Sequence, residues 1–175
     1  MSAANAGALV SGLGANSTLD ITSGGTITLS ANTDVTTVKL TSASTLILNG
    51  MAFITADGST GKDTIQAGGI DQTLTGGGGA DTLIGFSGGY DTFRDTAANL
   101  NGDTISNFIN TDTIDLTNIL YGTAETVSSV TKGANTSVTV TSGTTKSVFT
   151  MAGSWSSSGF HLASDGASGT FLTHT

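Results

Sequence analysis

Apolar residues recur in alternating pairs along the first part of the chain: Leu19 and Ile21, Ile27 and Leu29, Val38 and Leu40, Leu46 and Leu48. Clusters of Ser, Gly and Asn separate these pairs. A period of two over short stretches predicts half-buried strands rather than helices. No such rung can bury its apolar face alone, so stacking must supply the core of a solenoid over residues 17–56. From residue 57 the apolar positions follow Asp-Thr pairs, as in Asp63-Thr64-Ile65, Asp81-Thr82-Leu83 and Asp91-Thr92-Phe93, then Asp103-Thr104-Ile105 and Asp112-Thr113-Ile114. Beyond residue 120 the pattern changes once more. TSVTVTSGTTKSVFTMAG predicts two strands, around 136–141 and 146–151, joined by a Gly-containing turn. Trp155, Phe160, Leu162, Phe171 and Leu172 follow, and are expected to close the open end of the solenoid rather than to stack on a ligand.

Composition supports an all-β reading. The 175 residues contain no Cys and no Pro, one Glu, four Lys and one Arg, too few helix-forming polar residues to cover exposed helix faces. Length fits one domain with a real core. The formal charge of −8 is uneven: residues 57–115 hold nine Asp against Lys62 and Arg94 alone, and so carry seven of the eight net negatives. Such a charge argues against nucleic acid and for cations as partners. No segment is long and apolar enough to span a membrane. The N-terminus lacks the basic region of a secretory signal peptide, and residues 1–16 are expected to form a flexible tail, with Leu9, Val10 and Leu13 able to add a strand to a neighbour's edge.

The stretch TGGGGADTLIG, residues 75–85, places four glycines before a single Asp. Four glycines in a row cost backbone entropy on folding, so the turn must require them. The nine-residue frame around them repeats. Gly76–Ile84 reads GGGGADTLI and Gly58–Gln66 reads GSTGKDTIQ, while Ala67–Thr75 keeps Gly68 and Leu74 but has Gln72 in the acid's place, with Asp71 one position earlier. A shifted copy holds Gly89 and Asp91, and DTISNFINTDTIDLTNI follows over residues 103–119.

This frame resembles the G-G-x-G-x-D-x-U-x calcium-binding repeat of the RTX (repeats-in-toxin) family, and residues 103–119 resemble the segment that commonly closes such an array. The resemblance covers residues 57–119. It implies a parallel β-roll over residues 57–120, each repeat giving a turn and a short strand, with Ca2+ held between turns by carboxylates and backbone carbonyls. Carried over residue by residue, it puts Asp63 and Asp81 at one ion, with the carbonyls of Gly58, Thr60, Gly76 and Gly78 nearby. On the other edge Asp91 would meet the altered loop holding Asp71 and Gln72, and Asp103 and Asp112 complete the metal-ligand candidates. Residues 121–175 would then be a β cap whose terminal FLTHT is compatible with an uncleaved type I secretion signal. The fold expected is thus a parallel β-solenoid or roll with a C-terminal β cap.

Catalysis finds no support in the residue pattern. His161 and His174 have no zinc-ligand spacing, and no nucleophile elbow or triad order can be drawn from the abundant Ser and Thr. The acids already have places in repeat turns. What the resemblance implies instead is a secreted, calcium-binding structural protein that self-assembles head to tail into filaments or a lattice at the cell surface, as an S-layer or biofilm-matrix subunit. The starting Met and the export-like end fit a complete small chain of that kind. The alternative is a carbohydrate-binding, adhesive module with cell-surface polysaccharide as its partner. An ice-binding solenoid ranks last, because the Thr-x-Thr pairs at Thr26/Thr28 and Thr139/Thr141 are too irregular for a flat Thr array.

Overall fold

The computed structural model describes residues 16–30, 34–122 and 125–175; the expected joining strand in the N-terminal tail lies outside these. The chain is a parallel β-solenoid of about five turns with a β cap at its C-terminal end. Each coil gives one strand to each of two facing sheets. The first sheet takes β1 (Ser17–Ile21), β3 (Val35–Leu40), β5 (Thr55–Asp57), β7 (Thr73–Thr75), β9 (Thr92–Asp95) and β11 (Thr113–Leu116). The second takes β2 (Gly25–Ser30), β4 (Ser44–Asn49), β6 (Thr64–Gln66), β8 (Thr82–Ile84) and β10 (Thr104–Ser106). Two rows of turns connect the sheets. One edge carries residues 58–63, 76–81 and 96–103; the other carries 50–54, 67–72, 85–91 and 107–112.

The alternation read from the sequence accounts for this packing. The eight residues of the alternating pairs Leu19/Ile21, Ile27/Leu29, Val38/Leu40 and Leu46/Leu48 are buried, and Ile65, Leu74, Leu83, Phe93, Ile105 and Ile114 continue the same core through the short strands. Within each Asp-Thr-apolar unit the Asp ends the turn buried, the Thr looks outward and the third residue fills the core. Truncating one such core residue, as in Leu83→Ala, costs about 2–5 kcal/mol. In-register pairing lines the threonines up. Thr18, Thr37, Thr55, Thr73, Thr92 and Thr113 form one outward file on the first sheet. Thr26, Thr45, Thr64, Thr82 and Thr104 form another on the second. The neighbouring file on the first sheet begins Asp20, Lys39, Asp57, Thr75, so no two-file Thr array arises.

The cap is larger than the two strands expected. β12 (Glu125–Lys132), β13 (Asn135–Ser142) and β14 (Thr145–Ala152) extend the second sheet, and β15 (Phe160–Ser164) and β16 (Thr170–His174) extend the first. Phe160 and Leu172 are buried and Trp155 and Leu162 pack against the core. A run of ring contacts, Phe93 to Phe108 to Trp155 to His174 to Phe160, ties the cap to the last coils. β14 runs parallel to β10, and two antiparallel steps then bring β12 back to that direction. Likewise β16 is antiparallel to β11, and β15 reverses once more. The outermost cap strands β15 and β12 therefore run parallel to β1 and β2 respectively, which among the described residues end the two sheets on the opposite side.

Candidate metal centre

Five of the buried aspartates form two ladders, one along each edge. In both, one carboxylate oxygen accepts the backbone N–H of the equivalent residue one coil earlier. Asp63 Oδ1 accepts from Ser44 N at 2.7 Å, Asp81 Oδ1 from Asp63 N at 2.7 Å, and Asp103 Oδ1 from Asp81 N at 2.8 Å. On the opposite edge Asp91 Oδ1 accepts from Gln72 N and Asp112 Oδ1 from Asp91 N, both at 3.0 Å. The in-phase acid is thus first of all a coil-to-coil clamp, and its regular recurrence follows from that.

The second oxygens separate the edges. Asp63 Oδ2 accepts from Ser59 N and Ser59 Oγ, at 2.7 and 2.8 Å. Asp91 Oδ2 accepts from Phe86 N at 2.6 Å and Asp112 Oδ2 from Ile109 N at 2.9 Å. Gln72, which replaces the acid, accepts from Gly68 N through Oε1 and donates from Nε2 to the Met51 carbonyl. The Gln72–Asp91–Asp112 edge therefore satisfies itself. By contrast, Asp81 Oδ2 and Asp103 Oδ2 are buried and have no hydrogen-bond partner.

Those two oxygens occupy the same small space. A Cβ placed on Gly76 would lie 2.6 Å from Asp81 Oδ2 and 3.0 Å from Asp103 Oδ2. Any side chain at Gly76 would fill the gap they line. Gly77 and Gly79 hold positive φ, 80° and 135°, in the same turn, and a Cβ on Gly77 would strike the Ser59 carbonyl at 2.2 Å. This answers why the chain spends four glycines here: the turn needs left-handed backbone and close stacking on the turn of residues 58–61.

Electrostatics mark the same pair. Burial, opposed in part by the hydrogen bond from Asp63, raises the Asp81 carboxyl to about 6. Burial likewise raises Asp103 to about 7, with the neighbouring charge of Asp81 adding to the shift. Asp91 is also raised to about 6 by burial, but each of its oxygens holds an N–H. A cation between Asp81 and Asp103 would supply the missing compensation. Among the described residues no three His, Cys, Asp or Glu side chains converge on one point, so two carboxylate oxygens are the charged donors such a site would offer. An all-oxygen donor set of this kind suits a hard cation such as Ca2+.

The expected ligands are thus redistributed. The unpartnered oxygens belong to Asp81 and Asp103, whereas those of Asp63 are engaged. Gly58 stacks directly on Gly76, a Cβ there meeting the Gly76 carbonyl at 2.1 Å, and Thr60 stacks on Gly78. Asp71 stands exposed at a turn tip with φ 56°, and Asp112 belongs to the self-satisfied edge. Asp95, outside every repeat frame, is a further structural residue. Its Oδ2 accepts from Gly77 N at 2.8 Å, while its Oδ1 accepts from Thr96 N and Asn99 Nδ2. It thereby fastens the four-glycine turn to the short helix α1 (Ala97–Leu100), which Thr96 caps. The Asp-Thr-Ala-Ala run, an acid just before an N-cap residue, is the signal that could have found it.

No protein-family model matches this chain, and no curated protein or solved structure does either. Among the described residues no helix is long and apolar enough to cross a membrane.

Proposed function

We propose that this chain is a calcium-dependent structural protein of the RTX type that folds outside the cell and assembles head to tail into filaments or a lattice at the cell surface. The observation that carries the reading is the pair of buried, unpartnered oxygens on Asp81 and Asp103 around Gly76. An unmet buried carboxylate oxygen is costly, about 1–3 kcal/mol or more, and a bound cation removes that cost. Extracellular calcium modules bind at about 10⁻⁴–10⁻³ M, so such a site fills outside the cell and stays empty in the cytosol.

The assembly half of the reading is supported by strand direction. Because β12 and β15 run parallel to β2 and β1, the cap end of one copy can meet the opposite end of the next and continue both sheets in parallel. A contact of this head-to-tail kind does not close on itself and builds a filament.

Electron microscopy of the purified protein, in calcium and after its removal by chelator, tests the proposal. Filaments or sheets in calcium that disperse on chelation support it. Monodisperse particles under both conditions reject assembly and leave the adhesive, carbohydrate-binding reading.

A further inference from the structure

The self-satisfied edge presents a surface that neither metal nor packing explains. Its turns place Phe53, Asp71 and Tyr90 at equivalent positions on three successive coils, immediately before Ile54, Gln72 and Asp91. All three residues have left-handed backbone, φ 58°, 56° and 65°. Phe53 is 69% exposed and Tyr90 59%. Bulky side chains rarely adopt this conformation, and Gly or Asn would hold it with less strain. The sequence has 25 glycines and uses them at positive φ elsewhere, as at Gly50 and Gly77. Yet here it keeps two aromatic rings where they bury little. Strain retained at exposed positions points to recognition.

From this we infer that the Phe53–Asp71–Tyr90 ridge is a binding platform for a neutral, extended, β-linked glycan. Coils are about 4.8 Å apart, so the two aromatic residues stand about 9.6 Å apart along the edge, close to the length of one disaccharide in an extended β-1,4-linked chain. An aromatic ring offers an apolar face to a sugar ring and, for Tyr90, a polar tip to its hydroxyls. The Asp71 carboxylate between them is exposed, and no side chain or backbone group of the described residues hydrogen-bonds to it. It can accept hydrogen bonds from sugar hydroxyls. The acidity of this stretch of chain disfavours anionic polysaccharide. A second copy of the chain is a poor occupant. A ridge one residue wide falls far short of the roughly 800 Å² per partner of a stable protein interface. This inference rests on neither the calcium site nor the assembly.

The test is calorimetric titration of the full chain, at fixed calcium, with cellohexaose, xylohexaose and chitohexaose. Phe53→Asn and Tyr90→Asn suit the left-handed backbone, so the double variant should melt no lower than the parent. The expected result is saturable binding of at least one hexasaccharide and at least about a tenfold rise in Kd in the double variant, the loss of about 1.4 kcal/mol. Three outcomes overturn the inference: no binding of any of the three by the parent, undiminished binding by the double variant, or a double variant whose only change is a smaller sedimenting species. The last would make the ridge a contact between copies.

Discussion

The backbone N–H of Asp81 donates to Oδ1 of Asp103, 22 residues later, at 2.8 Å, while Oδ2 of both residues goes without a hydrogen bond. One contact thus joins two coils and leaves a pair of buried oxygens at a gap kept open by Gly76. The clamp needs no metal; the leftover oxygens are what a cation would satisfy.

Asp103→Asn separates the two roles. The amide keeps an oxygen for Asp81 N and removes a costly buried charge beside Asp81 Oδ2. The metal-free variant should melt several degrees above the metal-free parent, since about 1 kcal/mol moves Tm by about 2–4 °C in a chain of this size. Added calcium should no longer raise its Tm. Differential scanning calorimetry of both proteins, with and without calcium, decides this; a variant that keeps the full calcium response contradicts the site.

Asp91→Asn should behave differently. Both Asp91 oxygens accept backbone N–H groups, so one side-chain orientation or the other sets an amide N–H against a donor. A loss of about 1–3 kcal/mol in stability is expected, with the calcium affinity unchanged. Urea denaturation and calcium titration of the variant check the two halves, and a large loss of affinity would place an ion on that edge.

The fold was largely legible because solenoid rungs repeat one local rule: alternate apolar residues in short strands, polar turns between them. Leu19/Ile21 through Leu46/Leu48 are buried as the period of two requires. The pair of unpartnered acids was less legible. Turn length varies from coil to coil, so Asp63 and Asp81 lie 18 residues apart while Asp81 and Asp103 lie 22 apart, across α1. The nine-residue frame therefore paired Asp81 with Asp63. It could not show that Ser59 satisfies the second oxygen of Asp63 while the second oxygen of Asp103 has no partner. The Thr files were hidden for the same reason, since registers emerge only once the unequal turns are closed. β12, β15 and β16 escaped the pattern because their apolar residues are thinned by Ser and Thr.

Asp95→Ala removes three accepted hydrogen bonds and frees Gly77 N, detaching the four-glycine turn from α1. It should lower stability by about 1–3 kcal/mol and weaken calcium binding only through that loosening. Asp81→Ala removes an oxygen of the proposed calcium site and should weaken binding more. Calorimetric titration of the two variants compares them; equal losses would mean that Asp95 itself sits at the ion.

The pH dependence has a definite sign. Burial raises Asp81 to about 6 and Asp103 to about 7 from an ordinary 3.8, so the folded state binds protons that the unfolded chain releases. That stability is fully present below the unfolded value and is lost as pH rises through about 6 to 7. Metal-free protein should consequently melt higher at about pH 5 than at about pH 8. Calcium, which binds the deprotonated pair, should shrink that difference. Thermal melts of dialysed, metal-free protein at the two pH values test it, and a higher Tm at the alkaline value contradicts it.

The central claim is a calcium site built on Asp81 and Asp103, and equilibrium calcium binding tests it most directly. Titration of the parent chain should show saturable binding, with a Kd of about 10⁻⁴–10⁻³ M as for extracellular calcium modules, and Asp81→Asn and Asp103→Asn should each abolish it. A parent chain that binds no calcium in that range, or variants that bind it as tightly as the parent, would contradict the account.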